Sequence, residues 1–137
     1  MNNSEIVYTV SSKLEVKKSK LHGYGVHAVT DITKGELLEI SRLLKLDWRM
    51  KYQNDGVIRD YCWSPRCECK DCKIHGQHMY IALGFASLYN HSDEPNTNIE
   101  LDYPMQTMTI VANKDIKTGE EIFVSYGSGY WKTRNKT

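Results

Sequence analysis

A mainly β domain with little helix is what this sequence predicts, on three observations. First, Gln106-Thr107-Met108-Thr109-Ile110-Val111-Ala112 alternates polar and apolar residues and is rich in β-branched types, as a strand buried on one face requires. Second, Thr97-Asn98-Ile99-Glu100-Leu101 alternates in the same way, and the short polar link around Pro104 predicts that the two runs fold back as an antiparallel hairpin. Third, the helix signal is weak. Its strongest window, 77–88, places Met79, Ile81, Leu83 and Phe85 at alternate positions, which reads as a strand over 79–83 followed by one helical turn into Tyr89-Asn90-His91-Ser92.

The remaining elements follow in chain order. Short strands are expected at 6–10, 13–16, 25–29, 36–40 and 121–125 from their alternating or β-branched character. Two segments nearly repeat each other: Asp31-Ile32-Thr33-Lys34-Gly35-Glu36 and Asp115-Ile116-Lys117-Thr118-Gly119-Glu120. In each, a glycine supplies the positive φ of a tight turn and a hydrophobic strand follows, so two turns of one type account for the likeness. Residues 127–137 hold two glycines, Tyr130, Trp131 and several charges, a flexible tail whose aromatics should dock on something.

Composition narrows the function classes. The chain has 137 residues, 40% of them hydrophobic, and a net charge of +1, which suits one folded domain and argues against a general nucleic-acid binder, whose affinity needs a clear basic excess. No stretch approaches the roughly 20 apolar residues of a membrane span, and Met1-Asn2-Asn3-Ser4-Glu5 lacks a secretory layout. An intracellular, reducing compartment is therefore expected, cytoplasm and nucleus being equally open. The four cysteines, Cys62, Cys67, Cys69 and Cys72, crowd into one window instead of stapling distant loops.

Three motifs are each ambiguous alone. His22-Gly23-Tyr24-Gly25 permits close backbone approach to a ligand, but also suits a bulge or turn, and it lacks the third glycine of a dinucleotide fingerprint. Asn90-His91-Ser92-Asp93-Glu94-Pro95-Asn96 looks like a surface loop, yet it follows an apolar run directly, so Asn90 and His91 should stand at the core's edge, where polar groups need partners. Gly119-Glu120-Glu121-Ile122-Phe123-Val124-Ser125-Tyr126-Gly127 ends a hydrophobic strand in a tyrosine, which is an ordinary place for one.

Together, in this order and with these flanks, they resemble the SET-domain protein lysine methyltransferases. The resemblance runs over about residues 13–131. It implies a SET-type fold of several small sheets with a knot-like C-terminal crossing, in which the Asn90 and Tyr126 segments pass each other. On that pattern the whole of 1–137 is a single SET domain with its core at about 13–127, a Cys-rich insert at 62–75 and a lid or tail at 128–137. Minimal stand-alone units of this kind are often viral or bacterial. The resemblance implies S-adenosyl-L-methionine as cofactor, held by His22, Gly23, Tyr24, Gly25, Asn90, His91, Tyr126 and Trp131, with Tyr126 catalytic and Tyr89, Ile99 and Val124 along the substrate channel. Many members carry Asp before the final tyrosine where this chain has Ser125; Val124 occupies a position where members differ in how many methyl groups they admit. Either Tyr130 or Trp131 is placed to fold over the cofactor, the alternative being a tryptophan docked on the core.

The chemistry is coherent. Methyl transfer from a sulfonium to an amine is an in-line displacement, so the protein supplies alignment and a deprotonated lysine. Apolar, aromatic walls disfavour the ammonium form. Tyr126 steers; a phenol, with its pKa of about 10, is a poor base at neutral pH.

Cys67, Cys69 and Cys72 form C-x-C-x2-C, with Cys62 upstream and His75 downstream. Such a loop can surround one tetrahedral zinc. The first ligand set is Cys62, Cys67, Cys69 and Cys72, with His75 replacing Cys62 as the alternative; reduced thiols and a disulfide pair stay open. Zinc sites in the resembled family often come from a C-terminal segment, whereas this cluster is internal.

Two other function classes stay open: a catalytically silent SET module that binds a lysine-containing peptide or partner protein, and an interaction domain working through the cysteine loop. For an enzyme, the partner is a lysine-containing protein or peptide, a histone tail among them. Asp93, Glu94, Glu100 and Asp102 either line a groove for such a basic peptide or form a solvated face.

Overall fold

The computed structural model describes residues 5–46, 61–63, 70 and 79–126. Among these, ten strands form two sheets: β1 (Thr9–Val10), β2 (Leu14–Lys18), β3 (Tyr24–Ala28), β4 (Leu37–Lys45), β5 (Cys62–Trp63), β6 (Tyr80–Ala82), β7 (Asn90–His91), β8 (Thr97–Asp102), β9 (Thr107–Ala112) and β10 (Glu121–Val124). The larger sheet runs β5-β6-β4-β9-β8 with β1 beside β4; the smaller runs β2-β3-β10-β7. The mainly β expectation holds. No helix among the described residues is long and apolar enough to cross a membrane.

The predicted hairpin is β8 and β9, antiparallel, with Thr97 opposite Ala112 and Asp102 opposite Thr107. Its period put the right face inward: Met108, Ile110 and Ala112 are all buried. The loop closes through the Met105 N–H donating to Asp102 Oδ1 at 3.0 Å and through Gln106, which takes a left-handed φ of 57°.

β4 runs five residues beyond the expected end at 40, and its reason lies at Glu39 and Ser41. Their polarity reads as the end of a strand, yet Glu39, Ser41 and Leu43 are all buried on one face. A register shift against β9 between Leu37 and Glu39 marks a bulge, which brings the neighbours Leu38 and Glu39 inside together. β5 and β7, two residues each, are too short to show a period; only their sheet neighbours make them strands. After β6, residues 84–88 turn, with the Leu88 N–H donating to the Phe85 carbonyl at 2.8 Å.

The two near-repeats do more than share a turn type. Ile32 and Ile116, both buried, pair with each other, each N–H donating to the other's carbonyl at 2.8 Å. Each repeat also caps the other: Asp31 Oδ1 accepts from the Thr118 N–H at 2.8 Å and hydroxyl at 2.9 Å, and Asp115 Oδ1 accepts from the Lys34 N–H at 2.9 Å. Within each turn the closing glutamate repeats its role, Glu36 accepting from the Thr33 N–H and Glu120 from the Lys117 N–H. The segments form a local pseudo-twofold clasp that ties the start of β4 to the start of β10.

β10 lies between β3 and β7. It is antiparallel to β3, with Ile122 opposite Val26, and parallel to β7, with Phe123 opposite Asn90 and Val124 opposite His91. This is the crossing of the Asn90 and Tyr126 segments. It is stitched beyond the ladder: Asn96 donates to the Glu121 carbonyl at 3.0 Å and accepts from the Phe123 N–H at 2.8 Å, and the Thr97 hydroxyl donates to the Phe123 carbonyl at 2.8 Å.

Candidate active site

The three motifs, far apart in sequence, meet where β10 separates β3 from β7. His22 and Gly23 lie in the turn joining β2 to β3, which closes through the Ser19 N–H on the Gly23 carbonyl at 2.8 Å, with Gly23 at a φ of 49°. Asn90, on the far side of β10, reaches this turn: its Nδ2 donates towards the His22 carbonyl at 3.0 Å, the Tyr24 carbonyl at 3.2 Å and Glu121 Oε2 at 2.7 Å. A Cβ on Gly25 would collide with the Glu121 carboxylate and come within 2.9 Å of Asn90 Nδ2. Glycine there is a matter of space, not of φ.

Glu121 is the base of this turn and the sequence reading did not single it out as a site residue. Its side chain is 9% exposed. Besides Asn90, it accepts from the Ser19 hydroxyl at 2.6 Å, and buried His27 faces it with Nε2 at 3.8 Å. Ser19 in turn accepts from the Leu21 and His22 N–H groups. No periodicity marks Glu121, because its side chain is covered by a turn about a hundred residues away in sequence.

Tyr126 lies two residues past β10 and is held at three points. Its N–H donates to His91 Nδ1 at 2.9 Å, and its hydroxyl donates to the Tyr89 carbonyl at 2.7 Å. Its ring stands 5.2 Å from the His91 ring, tilted by 40°, and 6.1 Å from the Trp63 ring, edge to face at 83°. Because Nδ1 accepts, the His91 proton belongs on Nε2, which lies 2.9 Å from Asp93 Oδ1. Trp63, also missed by the sequence reading, is thus the neighbour that packs the tyrosine from β5; its buried indole N–H has no acceptor among the described residues.

Behind Tyr126 lies a second polar group. Tyr89 is buried, and its hydroxyl donates to Glu39 Oε1 at 2.7 Å. Glu39 Oε2 accepts from the Phe85 N–H at 2.8 Å and from the Ser41 hydroxyl. Burial pushes the Glu39 carboxyl above its ordinary pKa, and these donors oppose that shift. Burial and the neighbouring Glu39 push the Tyr89 phenol well above the ordinary value. Gly84, at a φ of 77°, leaves room for the Glu39 carboxylate, which a Cβ there would strike. The sequence signal for Glu39 was its place in phase with Ser41 and Leu43.

Of the other expected positions, Val124 is buried in the core, and Ile99 on β8 packs partly buried against it. Cys62 is buried on β5 opposite Ile81. Cys67, Cys69, Cys72, His75, Tyr130 and Trp131 lie outside the described residues. Among the described residues no group of three or more His, Cys, Asp or Glu is arranged to hold a metal ion.

Residues 23–127 match the sequence pattern of the SET domain. The chain belongs to the SET-domain family. It is 29% identical over 127 residues to a Schizosaccharomyces pombe protein named histone-lysine N-methyltransferase, H3 lysine-37 specific, a match that covers 89% of this SET chain and 78% of that relative. Its fold superposes with a TM-score of 0.64 on the crystal structure of a candidate histone methyltransferase of Plasmodium falciparum, at 27% identity over 89% of this chain and 99% of the other. A Neurospora SET-domain histone lysine methyltransferase shares the fold alone, with a TM-score of 0.59 at 20% identity over 84% of this chain and 52% of the other. The family and its relatives support a protein-lysine methyltransferase activity for this SET domain.

Proposed function

We propose that this SET domain is an S-adenosyl-L-methionine-dependent protein-lysine N-methyltransferase and that histone tails are its substrate class. The observation that carries the reading is the meeting of the 22–25 turn, Asn90 and Tyr126 around β10, with the Tyr126 backbone and hydroxyl both fixed by hydrogen bonds. The residues present suit the cofactor. The space over Gly23 is open, and the Glu121 carboxylate beneath the turn, held by Asn90 and Ser19, places a negative charge there that favours a cationic ligand. The bound cofactor supplies an electrophilic methyl group on a sulfonium.

The chain's own residues do the rest. His22, Gly23, Tyr24 and Gly25 would hold the cofactor's methionine end, with Asn90 bracing them from β7 and with Asn90 and His91 contacting its amino acid and adenine ends. A phenol has one proton, and Tyr126 donates it to Tyr89, so towards an incoming group its oxygen acts as an acceptor. An acceptor suits a reaction in which a neutral amine must approach an electron-poor carbon. The rings of Trp63, His91 and Tyr126 pack together, and a lysine brought against them loses water, a desolvation that disfavours the charged ammonium and so favours the nucleophilic amine.

The test is methyl transfer from labelled S-adenosylmethionine to core histones and histone-tail peptides. Wild-type protein is expected to add methyl groups to lysine, and Tyr126→Phe, which keeps the ring but loses the hydroxyl, to lower the rate about a hundredfold or more, within the range known for a single oriented polar group, while still folding. Undiminished transfer by Tyr126→Phe would remove the assignment.

A further inference from the structure

Resting on the methyltransferase reading, we propose that Glu39 is a positioning residue for Tyr126, acting through Tyr89. The path has two hydrogen bonds and one side chain. Glu39 Oε1 accepts the Tyr89 hydroxyl proton at 2.7 Å, and the backbone carbonyl of the same Tyr89 accepts the Tyr126 hydroxyl proton at 2.7 Å. Tyr89 is therefore pinned at its far end by Glu39 and offers its near end to the tyrosine at the reaction centre.

The anchor is built to be rigid. Glu39 is fully buried, and all its described partners are donors: the Tyr89 hydroxyl, the Ser41 hydroxyl and the Phe85 N–H. These donors, together with the Ala86 N–H, converge on two oxygens and fix the carboxylate. The same contacts bridge β4 of the larger sheet to the 84–89 segment that leads into β7, so Glu39 sets the height at which the Tyr89 carbonyl stands. The Gly84 position reinforces this, since any Cβ there would displace the carboxylate. A core that needed only volume at position 39 would be served by leucine or methionine without the cost of burying a charged group.

Glutamine tests the idea sharply. An amide keeps the shape, and its oxygen can accept from Tyr89, but its NH2 then faces the Phe85 N–H, donor against donor; turning the amide over satisfies Phe85 but makes the Tyr89 oxygen the acceptor, so the Tyr89 hydroxyl proton loses its partner at position 39. Either arrangement loosens the 85–89 segment. Tyr89→Phe removes only the hydroxyl and keeps the carbonyl that Tyr126 uses.

Two readouts separate this inference from the functional reading. In the full chain labelled with 13C-tyrosine, the Tyr126 resonance is assigned by its loss in Tyr126→Phe. Glu39→Gln and Tyr89→Phe are each expected to shift that resonance while circular dichroism and cofactor binding stay near wild type. In methyl transfer to core histones, both variants are expected to lower kcat about tenfold with the KM for S-adenosylmethionine within twofold, as a small misplacement of a reacting group does. The double variant should be no worse than the worse single, because both cut one path. Glu36→Gln, in the outer turn, should keep wild-type kcat. A Tyr126 resonance unmoved by both folded variants overturns the proposal, and so does a full kcat. A shifted resonance in a protein whose wild type methylates no histone supports the path and counts against the substrate reading alone. Should Glu39→Gln fail to fold, Tyr89→Phe decides by the same two measurements.

Discussion

Single residues here are chosen by what they touch across the chain. Gly25 illustrates this: its φ lies outside the left-handed range, so backbone freedom does not require glycine, but the Glu121 carboxylate and Asn90 amide fill the place of its side chain. Gly25→Ala is therefore expected to push the 22–25 turn off its anchor. Isothermal titration should show S-adenosylmethionine bound about tenfold or more weakly than by wild type, at a cost to stability of about 1–3 kcal/mol for overpacking. Unchanged affinity would mean that the turn does not form part of the cofactor's seat. The two carboxylates nearest the site, buried Glu39 and mostly covered Glu121, were among the residues that sequence reading could not assign. Both sit in positions where a glutamate reads as a solvated strand residue; Glu39 has only its phase with Ser41 and Leu43 to mark it, and Glu121 is revealed by its donors alone.

At the scale of elements, the pseudo-twofold clasp turns a sequence likeness into a structural device. The near-repeat was legible as two turns of one type; that the turns cap each other was not, because reciprocal capping depends on where β3 and β9 end in space. Its electrostatic signature is testable. The Thr118 N–H and hydroxyl, with Lys117 and Lys13 nearby, hold the Asp31 carboxyl below its ordinary 3.8, so its contribution to stability is present above that value and is lost as pH falls through the lower folded value. Asp31→Asn should melt below wild type at pH 7, with the gap closing as the pH falls beneath 3.8, as followed by thermal denaturation. A gap independent of pH would mean that the carboxylate charge is immaterial. Glu39 has the opposite sign: its pKa is raised by burial, so its contribution is full below 4.5 and is lost as pH rises through the folded value.

For the whole molecule, the decisive feature is β10 laid between β3 and β7, because it draws together segments near positions 22, 90 and 126. Asn96 is the main fastener, bonded to the backbone of β10 at both Glu121 and Phe123. Asn96→Ala leaves a carbonyl and an N–H without those partners and should cost about 2–3 kcal/mol, read by denaturant unfolding, with an added loss of cofactor affinity because both halves of the site loosen. A variant as stable as wild type would show that the strand pairing alone holds the crossing.

By itself the sequence determined the mainly β class, the β8–β9 hairpin and its inward face, the tight turns and the family, because these rest on alternation, turn chemistry and short motifs that act within a few residues. It also named Asn90, His91 and Tyr126 as residues of one site. Only the tertiary structure decided what holds them there: the Glu121 seat beneath the Gly25 turn, the Glu39–Tyr89 support behind Tyr126, the clasp between the two repeats and the strands too short to show a period. Burial and hydrogen-bond partnership between residues 30 to 100 positions apart leave no local trace, since a polar side chain in a strand is spelled the same way whether it meets water or a buried donor.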